Sequence, residues 1–494
     1  MKLLSIGGVY HDLNISYYDG QKVHYVKVER LNQIKHYSDT ELFDLTNDFT
    51  SYIKKYLNID VTEVDAICLE SAVLKSNKLD VSLLWENLYY KFSSKIFIVD
   101  HHYLHALSAR IFLNKSDLDI VIDGQGGRYS WTVFKDSKRI DYAIADKHGS
   151  IGYGMSLLAP QLGLKGHILD LPGKLMGLQS YGSLDNNYLE YLSKYNVYNI
   201  GATVTRTDTG KTHRLGMYDL STYSGPNKLD AAKTLHYKSG LLVDSIFKKH
   251  AKETDTITYS GGVAQNVIWN TNLKLQYKNL HILPHVGDEG LSIGGLEFLR
   301  QYFNLPPFSY QDFPYIQSDA KAITTEKTTE IAANYLAQGK IVAWYSGNGE
   351  VGPRALGNRS ILMDPRITNA KDTINKVKNR EEFRPFGASI LAEYAKDYFD
   401  MDFDNPYMLY VGKTVKPGLE AITHVDGTCR VQTVHSGVFR LLLEKFYEIT
   451  GCPVLLNTSL NVSGKPIAGS FEDAILEFNS TPIDVLIIGD NIYT

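Results

Sequence analysis

The chain has 494 residues, with 51 lysines and arginines against 55 aspartates and glutamates, and a formal net charge of −4. Its 44% hydrophobic content excludes a disordered chain, and its mildly acidic balance excludes a general polyanion-binding protein. Two or three domains are expected at this length. The three cysteines are scattered and form no C-x-x-C motif, which argues against a disulfide framework or a zinc knuckle. No stretch reaches about 18 consecutive apolar residues, so we expect a cytoplasmic protein without a membrane partner.

Residues 1–19 are predicted to form a strand, a turn and a second strand, because the apolar run KLLSIGG precedes the alternating NISYYD. Residues 118–135 repeat this pattern around the turn DGQGG. Glycines let backbone amides approach a phosphate closely, and the aspartate can hold a metal or a water. Two ordinary hairpins would give the same pattern, but two copies about 115 residues apart favour a duplicated domain.

A third glycine element, residues 256–270, is predicted to run from a β-branched strand through Gly261 and Gly262 into a helix. The order of these three elements is that of the actin-like ATPase and sugar-kinase superfold, which is an analogy at fold level. Residues 304–325 contain three prolines and little periodicity, and are predicted to be a linker. Residues 326–494 then open as a helix that leads into a strand, which predicts a second α/β domain.

A pair of histidines is the first candidate for metal chemistry. His101 and His105 are four residues apart and would share one face of a helix. A pair of this kind is by itself more often not a ligand pair, and a metal site would need further ligands such as carboxylates. Asp288 precedes a glycine-rich helix and Asp123 lies in the DGQGG turn. Two histidines with one or two carboxylates suit iron, manganese, zinc or magnesium, and the sequence leaves that choice open.

Two further histidines are candidates for proton transfer. His11 lies beside Asp12 in the first turn, and His36 ends the segment ERLNQIKH. Histidine is a natural general base near neutral pH, although isolated residues of this kind are usually surface groups.

The arginines of the C-terminal half are candidates for anion binding. Residues 347–365 contain four glycines together with Arg354 and Arg359, which could each hold a phosphate bidentately. Residues 375–390 add further cations, which predicts a pocket for a polyphosphate or an acyl phosphate. These cations are Lys378, Arg380 and Arg384. The segment HVDGTCRVQTV adds Arg430. A buried strand is then predicted to end in short polar side chains that suit a small planar group or a ribose, namely Asn457, Thr458, Ser459 and Asn461.

The runs GPRALGNRSILMDP, KNREEFRPF, HVDGTCRVQTV and PVLLNTSLNVSGKPI resemble the signature of the NodU/CmcH-type O-carbamoyltransferases. HHYLHALSA, DGQGG, GKLMGLQSYG, SGGVAQN and the early HD and ERLNQIKH segments resemble it too, in order from residue 5 to about 475. Gln265 departs from the family's usual residue before the asparagine of that motif. Residues 183–240 match poorly, which makes them the candidate for acceptor preference.

The resemblance implies an actin-like (ASKHA) duplicated N-terminal domain, residues 1–310, and a YrdC-like α/β C-terminal domain, residues 326–494. The C-terminal domain would convert ATP and carbamoyl phosphate to carbamoyl-adenylate, and the N-terminal domain would pass the carbamoyl group to an acceptor hydroxyl. The implied catalytic residues are His11, His36, Arg354 and Lys378. The implied metal ligands are His101, His105 and Asp288. The implied cofactor-binding residues are Asp123, Gly124, Gly126, Lys174, Gly261, Gly262, Asn266, Arg359, Arg384, Arg430, Asn457 and Ser459.

The acceptor is the open question. Only 14 of the 51 basic residues are arginine and 34 residues are tyrosine, which is typical of an AT-rich genome and favours a bacterium or a phage. The leading expectation is therefore the hydroxymethyl group of a modified pyrimidine in phage DNA, within the host cytoplasm. Such an acceptor would need a basic and aromatic surface, for which residues 183–250 with Arg206 and Arg214 are the candidates. A sugar or an antibiotic natural product is the alternative acceptor, and a homodimer is compatible with either.

Three other functions remain open at this point. An actin-fold sugar kinase would explain residues 1–300 and leave the cationic C-terminal domain without a role. Transfer of a threonylcarbamoyl group to tRNA is disfavoured by the acidic net charge. A non-enzymatic nucleotide-dependent regulator would need no dense set of histidines and arginines. Dependence on carbamoyl phosphate separates the carbamoyltransferase from all three.

Overall fold

The computed structural model describes residues 1–39, 49–71, 95–113, 115–194 and 227–494. Arg206 and Arg214 lie outside these residues. The chain divides into two compact units, the first of Met1–Ile98 with Gly295–Thr494 and the second of Val99–Gly294. The division into domains of residues 1–310 and 326–494 stays a prediction.

The described residues form twenty strands and fifteen α-helices, numbered in chain order. The strands are β1 (Leu3–Gly7), β2 (Asn14–Tyr18), β3 (Val23–Lys27), β4 (Ala66–Glu70), β5 (Lys95–Val99), β6 (Leu118–Gly126), β7 (Tyr129–Lys135), β8 (Lys138–Ile144), β9 (Ile257–Ser260), β10 (Leu280–His281), β11 (Gln317–Ala322), β12 (Val342–Tyr345), β13 (Gly347–Gly349), β14 (Arg359–Met363), β15 (Gly387–Leu391), β16 (Val411–Lys413), β17 (Thr428–Val434), β18 (Val454–Ser459), β19 (Val485–Ile488) and β20 (Asn491–Tyr493). The helices are α1 (Glu29–Asn32), α2 (Phe49–Leu57), α3 (His101–Ser108), α4 (Ala145–His148), α5 (Ile151–Leu158), α6 (Leu171–Leu178), α7 (Asn186–Lys194), α8 (Lys228–His250), α9 (Val267–Gln276), α10 (Leu291–Tyr302), α11 (Glu326–Ala337), α12 (Ala370–Lys378), α13 (Ala395–Phe399), α14 (Gly437–Thr450) and α15 (Phe471–Ser480).

A seven-stranded sheet in the first unit has the order β13-β11-β3-β2-β1-β4-β5. Strands β1, β2 and β3 pair antiparallel as a meander, and β4 pairs parallel to β1. All five residues of β1 are buried, as expected for the apolar run at the start of the chain. The predicted strand–turn–strand unit is confirmed.

A five-stranded sheet in the second unit has the order β10-β9-β6-β7-β8. Strands β6, β7 and β8 again form an antiparallel meander, and β9 pairs parallel to β6. Counted from its first strand, each unit's sheet contains the order 3-2-1-4-5, so the duplication predicted from the two glycine turns is confirmed. The repeated order is the actin-like arrangement.

An eight-stranded mixed sheet in the first unit is formed by residues of the predicted α/β C-terminal domain, in the order β16-β17-β15-β18-β14-β12-β19-β20. The predicted helix and strand after residue 326 are α11 and β12. The linker prediction for residues 304–325 is wrong in part. Strand β11 lies within this segment and pairs with β3 through Gln317 and Tyr25 and with β13, so its backbone hydrogen bonds are made by distant strands rather than indicated by local periodicity.

Within the described ranges, no helix combines the length and the apolar character that crossing a bilayer requires.

Candidate functional site

The second unit brings two histidines and two aspartates together. The Nε2 atoms of His101 and His105 lie 3.1 Å apart. An oxygen of Asp288 lies 3.3 Å from His105 Nε2 and 3.6 Å from His101 Nε2, and an Asp123 oxygen lies 3.5 Å from His101 Nε2. All four side chains are buried, and their ligand atoms lie within 4.8 Å of one another. Asp288 and Asp123, the two carboxylates considered from the sequence, both belong to this cluster.

The donor set fits a divalent metal ion. Imidazole nitrogens and carboxylate oxygens bind such ions at about 2.0–2.2 Å. Two atoms about 2.1 Å from one ion are about 3.0 Å apart at a right angle and about 3.4 Å apart at the tetrahedral angle. The observed separations of 3.1–3.6 Å agree with these values. A shared proton could satisfy only one pair of these atoms, whereas one ion would satisfy all four.

The start of helix α3 and a backbone hydrogen bond to Asp123 orient three of the four ligands. Helix α3 begins at His101 because the Asp100 side chain caps it, accepting a hydrogen bond from the Tyr103 amide at 3.0 Å. The predicted spacing of four residues therefore places His101 and His105 on one face. One oxygen of Asp123 accepts from the Gly262 amide at 2.9 Å, while the other faces His101. This hydrogen bond links the end of β6 to the Gly261–Gly262 element and fixes the carboxylate.

The Asp123 carboxyl is held ionised. Burial raises its pKa, but the hydrogen bond with His101 and the electrostatic interaction with the neighbouring imidazoles outweigh burial and keep the pKa well below its usual value. An ionised carboxylate is the form that binds a metal.

The prediction of a turn at DGQGG is wrong in part, because β6 extends to Gly126 and the turn begins only at Gly127, and glycine is required at position 126. A Cβ atom on this residue would lie 2.2 Å from Cδ2 of His101 and 2.4 Å from Cδ2 of His102. We expect Gly126→Ala to displace His101 and to lower metal affinity at least about tenfold, the scale seen when groups that orient metal ligands are lost. Metal content of the purified full chain, measured by inductively coupled plasma mass spectrometry, tests this.

Gly173→Ala is the matched control for that variant, because a Cβ at Gly173 in α6 would have no neighbour within 4 Å. It should keep the wild-type metal content. Full metal occupancy in Gly126→Ala, measured at limiting metal, would contradict the close contact between Gly126 and the His101 ring.

Other residues assigned to the cofactor in the second unit have structural partners. Lys174 Nζ donates to the Lys165 carbonyl at 2.6 Å. The Asn266 side chain caps α9, accepting from the Trp269 amide at 3.2 Å, and contacts His236. Gly261 has φ +93°, where a Cβ would lie 2.3 Å from the Ile122 carbonyl oxygen. Gly124 accepts a hydrogen bond from Ser150 at its carbonyl. Cofactor binding by these residues stays a prediction.

In the first unit, Asp12 joins the two histidines proposed as bases. His11 Nδ1 lies 3.0 Å from an Asp12 oxygen, and His36 Nδ1 lies 3.2 Å from both. Lys27 Nζ lies 2.9 Å from Asp12 and 3.1 Å from Glu29, whose other oxygen accepts from the His36 amide at 2.8 Å. The buried ammonium thus balances the two carboxylates. Sequence reasoning did not single out Lys27.

Asp12 sets the state of both imidazoles. Burial raises the Asp12 pKa, but the Lys27 charge and the hydrogen bonds with His11 and His36 outweigh it and hold the pKa well below its usual value. An ionised Asp12 favours the proton on Nδ1 of each histidine, which leaves Nε2 as the basic nitrogen. This is the arrangement a general base requires.

Four cations of the C-terminal half form one group, Lys378, Arg380, Arg384 and Arg430. Burial lowers the pKa of Lys378 and of Arg380 well below their usual values, and neighbouring guanidiniums lower both further. Burial also lowers the pKa of Arg430 to about 10, with Arg384 adding to the effect. An anion bound here would relieve the mutual repulsion, which is the physical case for a phosphate pocket.

The cation group adjoins the predicted polar strand end. Lys378 Nζ donates to the Ser459 carbonyl and to Asn461 Oδ1, both at 2.6 Å, and to the Asn461 carbonyl at 2.5 Å, so its ammonium already has internal partners and its direct contact with phosphate stays a prediction. Asn457 and Ser459 are two residues apart on β18 and share one face. Across the sheet, Gly387 pairs with both Asn457 and Arg430. The structure therefore brings together Lys378, Arg384, Arg430, Asn457 and Ser459.

The buried Lys378 predicts a pH dependence. An ammonium with a lowered pKa loses its charge as the pH rises through that pKa, so phosphate binding should weaken at a pH well below the ordinary lysine value of 10.5. We expect kcat/KM for ATP, in a reaction that makes an acyl-adenylate, to fall on this alkaline side. Lys378→Arg should move the fall to higher pH, because a guanidinium has a higher intrinsic pKa than an ammonium in the same surroundings. A pH–rate profile from pH 6 to 10 that shows the same fall in the variant would assign it to another group.

Arg359 does not join this group. Its guanidinium is fully buried and lies 3.5 Å from the Tyr345 ring centroid. It donates to the carbonyls of Ser346 at 2.8 Å and Ala320 at 2.9 Å, and pairs with Asp319 at 3.0 Å. These partners hold the guanidinium in the interior, so phosphate binding by Arg359 stays a prediction that its contacts do not favour.

Arg354 is partly exposed within an anchored loop. Residues 350–358 connect β13 to β14 without a helix or strand. The buried Arg30 donates to the Gly352 carbonyl at 3.0 Å, and Gln432 donates to the Leu356 carbonyl at 2.7 Å. Glu350, which sequence reasoning also missed, accepts three backbone amides of the same loop. The sequence feature that could have identified Glu350 is that it is the lone acidic residue in a segment rich in glycine and arginine.

Comparison with known proteins finds matches along most of the chain. The family models described as carbamoyltransferase N-terminus and C-terminus match residues 70–296 and 333–494. Nodulation protein NolNO of Sinorhizobium fredii is 30% identical over 95% of this chain and 77% of its own length. The 3'-hydroxymethylcephem-O-carbamoyltransferase of Amycolatopsis lactamdurans is 28% identical over 76% of this chain and 70% of its own. The crystal structure of T. kodakarensis HypF is 14% identical, with a TM-score of 0.35 over 62% of this chain and 48% of its own.

Proposed function

The chain belongs to the carbamoyltransferase family and is a transferase, and from this premise we propose an ATP-dependent O-carbamoyltransferase with two half-reactions. The cation group around Lys378 makes carbamoyl-adenylate from ATP and carbamoyl phosphate. The cluster of His101, His105, Asp123 and Asp288 serves the transfer of the carbamoyl group to an acceptor hydroxyl. The cation group is the observation that carries the proposal, because a sugar kinase would have no use for it.

The first half-reaction releases two anions. Water converts carbamoyl phosphate to carbamate and phosphate, and a carbamate oxygen then attacks the α-phosphorus of ATP, breaking its bond to pyrophosphate. Carbamate itself is a poor acylating agent, and AMP gives it a good leaving group. Phosphate and pyrophosphate carry concentrated negative charge, which Arg354, Lys378, Arg384 and Arg430 are suited to stabilise. Asn457 and Ser459 supply short polar groups beside them.

The second half-reaction moves the carbamoyl carbon from AMP to the acceptor oxygen and releases AMP. A divalent ion held by His101, His105, Asp123 and Asp288 would bind the adenylate phosphate and polarise the carbonyl. The acceptor hydroxyl must also lose its proton, and the role of base at Nε2 stays a prediction for His11 and His36, which Asp12 orients within the first unit. The donor set of nitrogen and oxygen leaves iron, manganese, zinc and magnesium as candidates.

A small-molecule hydroxyl is the acceptor class that the relatives favour. One relative is named for a hydroxymethylcephem and another for nodulation. Neither of these names points to DNA, and the arginines proposed for a DNA surface, Arg206 and Arg214, lie outside the described residues. The hydroxymethylpyrimidine acceptor therefore has no support here beyond composition, and we place a sugar or a natural-product alcohol first.

The test is an incubation of the full chain with ATP, carbamoyl phosphate and a divalent metal. Mass spectrometry should find AMP and pyrophosphate that depend on carbamoyl phosphate, and an acceptor heavier by one carbamoyl group. The acceptor panel is a 3'-hydroxymethylcephem, an aminoglycoside, hydroxymethyl nucleosides and hydroxymethylcytosine DNA. ADP formed without carbamoyl phosphate would overturn the proposal in favour of a kinase. Carbamoylated DNA alone would restore the composition-based acceptor.

A further inference from the structure

The loop that carries Arg354 is organised by one buried side chain. Glu350 is 1% exposed, and its Oε1 accepts from the amides of Leu356 and Asn358 at 2.8 Å each and of Arg359 at 3.1 Å. Buried polar groups in folded proteins have hydrogen-bond partners, and these three bonds to one oxygen are what hold the Glu350 side chain in the interior.

The three amides lie beyond Arg354 in the sequence, whereas Glu350 precedes it. The side chain therefore closes residues 350–359 into a ring with Arg354 near the middle. The loop has no ladder of its own to satisfy these amides, since it contains neither helix nor strand. Gly352 and Gly357 have φ values of +92° and +109°, a backbone region that glycine alone enters freely. Without the carboxylate, the ring would lose the three hydrogen bonds that hold residues 356–359, where Gly357 makes the backbone easiest to rearrange.

The carbonyl side of the loop is held separately. Leu356, whose amide binds Glu350, also accepts at its carbonyl from Gln432 Nε2 at 2.7 Å and from the Tyr315 hydroxyl at 2.9 Å. Both peptide groups of this residue are therefore fixed. Holding a binding group in place before the ligand arrives removes an entropic cost from binding.

We propose that Glu350 is a positioning residue for Arg354: it touches no substrate, and it acts on adenylate formation only by holding the ring in which Arg354 lies. The proposal rests on the proposed function for its link to adenylate formation. Its physical core, that Glu350 acts through Arg354, does not depend on the acceptor or on the metal cluster.

A double-mutant cycle on the full chain tests the proposal. Glu350→Leu, Arg354→Ala and the double variant are compared by calorimetric binding of inorganic pyrophosphate and by carbamoyl-phosphate-dependent exchange of pyrophosphate into ATP. We expect Glu350→Leu to weaken pyrophosphate binding at least about tenfold, and the double variant to bind no more weakly than Arg354→Ala alone. Losses that multiply in the double variant would show that Glu350 acts independently of Arg354 and would overturn the proposal.

Two further variants separate positioning from general stability. Glu350→Gln keeps an oxygen at the Oε1 position and should recover most of the lost affinity. Glu350→Asp keeps the charge but draws the carboxylate back by one methylene, so it should stay weak. If Glu350→Leu does not fold, the comparison of Glu350→Gln with Glu350→Asp tests the positioning role alone. Equal pyrophosphate affinities in these two variants would contradict the proposal.

Glu297→Leu is the matched control for loss of a buried glutamate in the first unit. Glu297 is buried and pairs with Arg300 at 2.7 Å, away from the Arg354 loop in the sequence and in its hydrogen bonds. It should lower thermal stability without changing pyrophosphate affinity. The proposed function fails by a different result, namely no carbamoyl-phosphate-dependent exchange in the wild type, and in that case the pyrophosphate cycle still decides the role of Glu350.

Discussion

Arg354→Ala is expected to abolish carbamoyl-adenylate formation, with a loss of at least about a hundredfold in the exchange of pyrophosphate into ATP, the scale seen when one pre-positioned group is removed from a developing charge. Arg354 is the partly exposed arginine of a loop whose backbone is anchored by Glu350, Arg30 and Gln432. The backbone that carries its side chain is therefore already ordered when phosphate binds.

Arg366→Ala is the matched control for Arg354→Ala. Arg366 belongs to the same half of the chain, is itself exposed, and pairs at 2.6 Å with the buried Asp364, outside the cation group. It should leave exchange unchanged because it is no part of the cation group, and the loss of its ion pair with Asp364 should appear only as lower thermal stability. Normal adenylate formation in Arg354→Ala would contradict the placement of the first half-reaction at this loop.

His105→Ala is expected to spare adenylate formation and to stop transfer. The substitution removes one of the two imidazole nitrogens that lie 3.1 Å apart and one of the two contacts that Asp288 makes with the histidines. Metal content should fall together with carbamoylated product, while AMP and pyrophosphate still form. Mass spectrometry of the products and metal analysis of the protein measure both halves in one preparation.

His250→Ala is the control for loss of a histidine in the second unit, because His250 pairs with Asp141 at 2.9 Å and lies outside the cluster. It should keep both metal and transfer. If His105→Ala retains both half-reactions, the assignment of the metal cluster to transfer is wrong. If it loses adenylate formation as well, the two half-reactions are not separable as proposed.

Local patterns predicted the parts of the molecule whose geometry is local. The spacing of His101 and His105 places them on one face of α3 because a helix repeats every 3.6 residues. The two strand–glycine-turn–strand segments form equivalent hairpins in β1–β2 and β6–β7. The Gly261–Gly262 element lies between β9 and α9, as expected, with a 3-10 turn over Gly262–Gln265 inserted.

The two arginines of the GPRALGNR segment show what local sequence patterns could not predict, namely which of two similar side chains is buried. Arg354 and Arg359 are five residues apart in the same cationic run, and both were expected to bind phosphate. The structure leaves Arg354 partly exposed and buries Arg359 against Tyr345 and Asp319. Which of two similar cations faces inward depends on the strands that pack beside it, and these come from other parts of the chain.

Lys27 and Glu350 are missing from the sequence-based candidates for the same reason. Lys27 is defined by Asp12 and Glu29 brought beside it in space, and Glu350 by amides that point inward only once the loop is folded. The sequence by itself determined the duplicated topology, the histidine pair, the glycine turns and the cationic segment, because these depend on spacing along one element. The tertiary structure decided which charged groups meet, because burial and pairing depend on how separate elements pack: Arg359 meets Asp319, 40 positions away, and Arg30 meets Gly352, 322 positions away.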